Sequence, residues 1–180
     1  MKLREVSSEA EWELLERLYT EAFPDNERKP FEMIREKHRK KRTDVWVVDE
    51  DGEFSGLAIT MNSADLVLLD YFAICREKRG NGLGSASLKA LFEKYRGKRF
   101  FLEVESLAVV ADNTEERCRR KQFYRNNGMS ELGVYARLFG VEFELLGYEC
   151  EVSFREYFSL YDDIYGSYAS KFLEEIELGP

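Results

Sequence analysis

A strand, a glycine-rich loop and a helix follow one another between residues 66 and 91, and this stretch constrains the fold more than any other. It begins with an apolar run, continues through glycines at alternate positions (Gly80, Gly82 and Gly84), and ends in apolar residues at helical spacing. Glycine accepts positive φ and lets the backbone come close to a ligand. The first N–H groups of a helix lie at the positive end of its dipole. The stretch therefore predicts a binding site for a phosphate or pyrophosphate group.

Three kinds of glycine loop bind phosphates in this way. The nucleoside triphosphatase loop ends in Gly-Lys-Ser/Thr, and no lysine follows these glycines, which excludes it. The dinucleotide-binding fingerprint is met in part by Gly80-x-Gly82-x-x-Ser85, with Glu103 about 20 residues beyond, where a ribose-binding acid belongs. Charged residues separate this loop from its strand, whereas the dinucleotide fold turns straight from its first strand into the first glycine. A dinucleotide-binding oxidoreductase therefore remains only an alternative.

The third kind of loop has the pattern Arg/Gln-x-x-Gly-x-Gly/Ala directly after a strand. Arg79, Gly82 and Gly84 meet this pattern, and the strand before them ends in Phe72-Ala73-Ile74. A second segment, FYRNNGM at residues 123–129, is similar to the pattern Phe-Tyr-x-x-x-Gly-Phe. With both motifs in this order, the chain resembles the GCN5-related N-acetyltransferase (GNAT) superfamily.

The order of the predicted elements agrees with this resemblance. A short strand and two helices come first, and a strand meander with a hairpin turn at Asp51-Gly52 leads into the glycine loop. A strand over residues 100–105, a helix over 115–126 and two antiparallel closing strands follow. The predicted fold class is therefore α/β (α+β), an acyl-CoA N-acyltransferase (GNAT-like) fold. Its mixed, mostly antiparallel central sheet would have about seven strands flanked by helices.

The chain is long enough, at 180 residues, for one domain with a core of its own. We therefore expect a single GNAT-like acetyltransferase domain over residues 1–180. Residues 154–178 place aromatic and aliphatic side chains on one broad helical face, so residues 154–180 are expected to form a C-terminal helical extension. This added helix is expected to pack on the sheet, with a homodimer surface or a partial lid as alternatives.

The resemblance implies acetyl-CoA as the cosubstrate. Its pyrophosphate would rest on the glycine loop, and its pantetheine arm would pair with the backbone of residues 72–74 like an added strand. The Ile74 N–H would hold the thioester carbonyl. The implied cofactor-binding residues are Phe72, Ala73, Ile74, Arg79, Gly80, Asn81, Gly82, Leu83, Gly84, Ser85 and Arg117.

The segment FFLEVE at residues 100–105 places Phe101, Glu103 and Glu105 on one face of a strand. A buried carboxylate is costly unless it is paired or functional. This face therefore either meets arginine or lysine side chains or opens onto a polar cleft. The resemblance favours the cleft and implies that Glu103 or Glu105 is the base that accepts the proton of the attacking amine.

Two further roles follow from the resemblance, each with a structural alternative. Tyr124 would protonate the departing thiolate, or else its ring would only anchor the helix. Glu27, in the loop between the first two helices, would hold the acceptor amine, or else it is a surface acid that caps a helix. The chain departs from the family at Arg117, because an asparagine that touches the pantetheine arm is common at that position. The alignment of Asn113 is open for the same reason.

The net charge of −8 argues against nucleic-acid binding and favours the approach of cationic small molecules. We therefore expect a small-molecule amine as the partner rather than a protein. No apolar run approaches the ~20 residues needed to span a bilayer, and the first residues lack the apolar core of a signal peptide. A cytoplasmic protein without a membrane partner is expected. Three widely spaced cysteines and the single histidine, His38, offer no metal-ligand spacing, so no metal is expected.

The predicted function is the transfer of an acetyl group from acetyl-CoA to a primary amine by direct attack in a ternary complex. The main alternative from another class is a non-catalytic acyl-CoA-binding module, in which the glycine loop binds the ligand and the two acids are merely structural.

Overall fold

A computed structural model of the chain describes residues 1–108 and 112–177. The helices in these residues are α1 (Glu9–Ala22), α2 (Phe31–Arg39), α3 (Leu83–Lys94), α4 (Thr114–Asn126) and α5 (Phe154–Tyr165). The strands are β1 (Lys2–Glu5), β2 (Thr43–Glu50), β3 (Glu53–Ser63), β4 (Leu66–Ile74), β5 (Arg99–Glu105), β6 (Met129–Leu138), β7 (Val141–Tyr148) and β8 (Leu173–Glu175). Within the described ranges no helix is both long and apolar enough to cross a membrane.

The predicted fold class is confirmed, because the strands form a mixed, mostly antiparallel sheet of eight strands with helices around it. The contacts within the chain divide it into two compact units. One consists of residues 1–62 and 69–96, and the other consists of residues 63–68 and 97–180. The strand order is β1-β2-β3-β4 for the strands that lie mainly in the first unit and β5-β7-β6-β8 for those in the second, and residues 66–68 of β4 count with the second unit. The two closing strands β6 and β7 pair antiparallel, as predicted.

The hairpin between β2 and β3 forms where the sequence predicts it. Asp51 and Gly52 both have positive φ, 55° and 87°, as a tight two-residue hairpin turn requires. The side chain of Asp49 accepts a hydrogen bond from the Gly52 N–H at 2.9 Å, which closes the turn. The turn sets the pairing of Asp49 with Phe54, and a register shift between Val48 and Asp49 then leads to the pairing of Val47 with Leu57.

The core of the first unit lies where α1 and α2 pack on strands β2, β3 and β4. Its buried side chains include Leu15, Tyr19, Ile34, Val45, Val47, Leu57, Ile59, Tyr71 and Ala73. The apolar residues of α1 recur at helical spacing and therefore lie on one face of the helix. The apolar residues of the strands alternate and therefore lie on one face of the sheet, and these two apolar faces pack against each other. This packing holds β4, which leads into the glycine loop, against α1.

The predicted last helix is wrong beyond Tyr165. Helix α5 begins with a capping box of Ser153 and Glu156, but it ends at Gly166, which has φ 56° and ψ −150°, a conformation that glycine adopts most readily. Two short 3₁₀ turns and strand β8 follow instead of further helical turns. The sheet therefore has one strand more than the seven expected. Residues 178–180 of the predicted extension lie outside the described residues.

Candidate active site

The glycine loop has the backbone geometry of an anion site. Gly80 and Gly82 have φ of 87° and 79°, and a Cβ at either position would meet no atom within 4 Å. Gly82 is the N-cap of α3, and no side chain of the described residues caps this helix. The Ala86 N–H donates to the Gly82 carbonyl at 3.0 Å, so the three N–H groups before it have no acceptor within the helix. This helix start is therefore open to an anionic ligand.

Arg79 joins the loop to the end of β4. Its Nε donates to the carbonyl oxygen of Ile74 at 2.9 Å, while the residue as a whole stays exposed. The other predicted donor-binding residues in this segment differ in exposure. Gly80, Asn81 and Gly82 are exposed, Phe72, Gly84 and Ser85 are half-buried, and Ala73, Ile74 and Leu83 are buried. The structure thus brings these predicted residues together in one unit, and their binding of a cofactor stays a prediction.

A buried ion pair, which the sequence pattern does not predict, joins the loop after α1 to β4. The Lys29 Nζ lies 2.7 Å and 3.0 Å from the two carboxylate oxygens of Asp70. Their side chains are only 7% and 2% exposed. Burial raises the pKa of Asp70, and the charge of Lys29 opposes that rise. The only sequence signal was a single acid inside the apolar run LVLLDYFAI.

Tyrosine hydroxyls complete the attachment of this loop. The Tyr71 hydroxyl donates to the carbonyl of Glu27 at 2.9 Å and accepts from the Lys29 N–H at 3.1 Å. The Tyr19 hydroxyl donates to the Lys29 carbonyl at 3.0 Å. The backbone of Glu27 is therefore held at a fixed place, and its side chain is half-buried. Its role in holding an amine stays a prediction.

Glu103 lies under two tyrosines of α5. The hydroxyls of Tyr157 and Tyr161 donate to the same carboxylate oxygen, Oε1, at 2.5 Å and 2.8 Å. Both tyrosines are fully buried, and the ring of Phe101 packs edge-on against Tyr157 with 6.2 Å between centroids. Helix α5 therefore covers the face of β5 that carries Phe101 and Glu103. The sequence predicts that α5 packs on the sheet, but it does not predict this contact with Glu103.

Glu105 meets arginines of α4. The Arg120 Nη1 donates to its Oε2 at 2.6 Å. The Arg117 Nε lies 2.9 Å from Oε1, but its N–H does not point at that oxygen, so this contact is an ion pair rather than a hydrogen bond. Asn113 Nδ2 lies 3.5 Å from the same oxygen. The side chain of Glu105 is 2% exposed. Arg117, which the resemblance places at the cofactor, is thus engaged by Glu105, and its cofactor contact stays a prediction.

Tyr124 is buried near the end of α4. Burial raises its pKa to about 12, against the opposing charge of Arg120. The phenol is therefore protonated at neutral pH, as a general acid must be. Its ring also contacts Phe123, with 5.2 Å between centroids. Burial of the ring agrees equally with the anchoring alternative, so the role of Tyr124 stays a prediction.

The family model of the acetyltransferase (GNAT) family matches residues 11–129. The chain belongs to the GNAT acetyltransferase family. This GNAT protein is therefore an acyltransferase, and its family uses acetyl-CoA. The matched segment contains the glycine loop, both acids of β5 and Tyr124, but it ends before β7 and α5. A comparison with the curated proteins finds no match.

Solved structures share the fold at low sequence identity. A protein assigned to the GNAT family from Bacteroides thetaiotaomicron is 20% identical with a TM-score of 0.76, over 92% of this chain and 99% of that one. The ribosomal-protein-S18-alanine N-acetyltransferase from Escherichia coli is 18% identical with a TM-score of 0.60, over 84% and 95%. An aminoglycoside 6'-N-acetyltransferase complexed with coenzyme A is 13% identical with a TM-score of 0.60, over 82% and 96%. These likenesses show the fold alone.

Proposed function

We propose that this GNAT protein transfers the acetyl group of acetyl-CoA to a primary amine by direct attack in a ternary complex. The observation that carries the proposal is the glycine loop, which is open and uncapped at the start of α3. Backbone N–H groups at such a helix start would bind the pyrophosphate of CoA, because several fixed donors offset its negative charge. The coenzyme A bound by a structural relative supports this choice of donor.

Among the two carboxylates of β5, Glu103 is our candidate base. An alkylamine is mostly protonated at pH 7, so a base must accept a proton from the amine before the amine can attack the thioester. A tyrosine hydroxyl both donates and accepts hydrogen bonds, so Tyr157 and Tyr161 can stay bonded to Glu103 in either protonation state.

An arginine cannot accept a hydrogen bond. Both oxygens of Glu105 face arginines, Oε2 toward Arg120 and Oε1 toward Arg117, so these neighbours offer no acceptor to which a proton taken up by Glu105 could be passed. We accordingly assign Glu105 to holding α4 on β5. The pantetheine arm would pair with the backbone of residues 72–74, and the Ile74 N–H would stabilise the charge that develops on the thioester carbonyl.

A small-molecule amine is the proposed acceptor. The structural relatives include one enzyme named for a ribosomal protein and one named for aminoglycosides, so the fold serves both kinds of acceptor. The net charge of −8 favours the approach of a small cation. A screen of CoA release from acetyl-CoA over classes of amine tests the function. Binding of acetyl-CoA without release for any amine would support the non-catalytic module instead, and binding of NADH in place of CoA would support the dinucleotide alternative.

Substitution of Gly82 by alanine should weaken CoA binding at least about tenfold, because the left-handed backbone there is strained with a Cβ and the loop must shift. Titration calorimetry with CoA measures this change. Gly97→Ala is a matched control, since Gly97 has φ 84°, equal space for a Cβ and no place in the loop. Equal losses of affinity in both variants would show that general destabilisation, and not the loop, is responsible.

Substitution of Tyr124 by phenylalanine should lower kcat by about 10²-fold, as expected when a general acid is removed. The ring and its contact with Phe123 remain, so the melting temperature and the affinity for acetyl-CoA should stay close to those of the parent chain. Pre-steady-state measurement of thiol release gives kcat for the chemical step. Full turnover in this variant would leave Tyr124 with the anchoring role alone.

A further inference from the structure

Among the described residues, three of the four exposed large apolar side chains gather at one place in the second unit. Phe139, Tyr168 and Phe172 are 40%, 40% and 45% exposed. Phe139 contacts both of the others, with 5.9 Å to the Tyr168 centroid and 5.0 Å to the Phe172 centroid. In the described ranges the other exposed large apolar side chain is Met1. Single exposed apolar residues are ordinary, but a contiguous exposed group indicates a surface that binds another molecule.

This aromatic cluster, Phe139 with Tyr168 and Phe172, lies at an open edge of the sheet. Strand β8 begins directly after Phe172 and is the last strand in the order β5-β7-β6-β8. It pairs with β6 along one edge, with Arg137 opposite Glu174. Among the described strands none pairs with its other edge. An open strand edge presents unpaired N–H and C=O groups and is a template for pairing with another chain.

We propose that a second copy of this chain pairs with β8, antiparallel and related by a two-fold axis at Glu174. The Ile176 N–H donates to the Tyr135 carbonyl at 3.1 Å, which places the backbone groups of residues 174 and 176 toward β6. The groups of Leu173 and Glu175 therefore point outward. With the axis at Glu174, Leu173 of each copy pairs with Glu175 of the other. The outward N–H and C=O groups of both residues then form hydrogen bonds between the two copies.

The side chains beside the strand are self-complementary in this register. Residues 170–172 form a 3₁₀ turn before the strand, and residues 176 and 177 follow the strand. Past the strand ends, the same register brings Phe172 near Ile176 of the second copy and Lys171 near Glu177 of the second copy, so each dimer gains two apolar and two ionic contacts. A cavity of about 320 Å³ lies beside the strand and would receive the incoming Ile176 side chain. Its lining residues are Arg137, Phe139, Gly140, Lys171, Phe172 and Glu174. An axis at Leu173 would instead place Phe172 against Glu174 of the second copy, an apolar ring against a carboxylate.

Two like charges also meet at the axis, because Glu174 of one copy lies opposite Glu174 of the other. Its carboxylate is 3.5 Å from Arg137 Nη1, which reduces the repulsion between the two copies. The aromatic cluster contributes roughly 250 Å² of exposed ring surface per copy, about a third of what a stable dimer buries. The dimer is therefore expected to be weak and concentration-dependent.

Sedimentation of the full chain over a range of concentrations tests the association. The mass should rise from 21.1 kDa toward twice that value, and Phe172→Glu should hold it at 21.1 kDa. Lys171→Glu and Glu177→Lys should each weaken association at least about tenfold, and the double variant should restore it, because the two charges exchange places. Lys98→Glu, a charge reversal at an exposed site away from this edge, is the control and should not change the mass. A chain that stays monomeric throughout would overturn the proposal.

Disulfide trapping tests the register. Two strands related by an axis at residue 174 bring the Cβ atoms of that residue within reach of a disulfide. In a Cys118→Ser background, which removes the exposed native thiol, Glu174→Cys should form a covalent dimer with a mild oxidant. Glu175→Cys is the matched control and should not, because its neighbour is Leu173 of the second copy. The reverse result, or no restoration by the double charge variant, would overturn the register. Both tests read association alone and do not depend on acetyl transfer.

Discussion

Replacement of Glu103 by glutamine should lower kcat about 10²- to 10⁴-fold and leave the affinity for acetyl-CoA unchanged. Glutamine keeps the shape of the side chain and an oxygen that can accept from Tyr157 and Tyr161, so the packing of α5 should survive. It has no group that can take the proton of the ammonium, which is why the chemical step should slow. Steady-state turnover with the best amine, together with calorimetric titration of acetyl-CoA, measures both quantities.

Glu105→Gln is the matched control for this prediction, because the two acids lie two positions apart on β5. It removes the charge that Arg117 and Arg120 share, so the free energy of unfolding should fall by about 3 kcal/mol while kcat of the folded enzyme stays within a few-fold. If Glu105→Gln abolished turnover and Glu103→Gln did not, the assignment of the base would be reversed. If both retained turnover, neither acid would be the base.

The glycine loop and the hairpin could be predicted because their information is local. Asp51, Gly52, Gly80 and Gly82 all have positive φ, and the sequence places glycine at three of these four positions. The partners of Glu103 could not be predicted in the same way, because Tyr157 lies 54 residues further along the chain. A strand pattern shows that Glu103 shares a face with Phe101, but it does not show which side chain covers that face.

The end of the chain shows a second limit. Apolar residues at helical spacing continue past Gly166, and that spacing alone predicts a helix to the end of the extension. One glycine with positive φ stops α5 and redirects the chain into β8. Residues assigned to a buried helical face, Tyr168 and Phe172, are consequently exposed. A periodic pattern reports which residues are apolar, and it cannot report whether the backbone remains helical between them.

Replacement of Asp70 by asparagine should lower the free energy of unfolding by about 3–5 kcal/mol, because it removes the carboxylate charge that faces the buried ammonium of Lys29. Lys29 is 7% exposed, so water cannot readily take the place of the carboxylate. The loop after α1 should then be held less firmly to β4, although the hydrogen bonds of Tyr71 and Tyr19 to its backbone remain. Urea denaturation followed by circular dichroism measures the loss, and hydrogen exchange locates it.

The double variant Lys29→Met with Asp70→Leu distinguishes two quantities. One is the net contribution of the Lys29–Asp70 pair to the free energy of unfolding, and the other is the cost of removing only one of the two charges. Removal of both charges leaves apolar side chains of similar size beside the ring of Tyr71, and buried ion pairs replaced in this way often lose little or no stability. We therefore expect the double variant to regain most of the free energy that Asp70→Asn loses. If the double variant is as unstable as Asp70→Asn, the pair itself stabilises the loop. If Asp70→Asn costs less than about 1 kcal/mol, water reaches the site and the pair is not buried in solution.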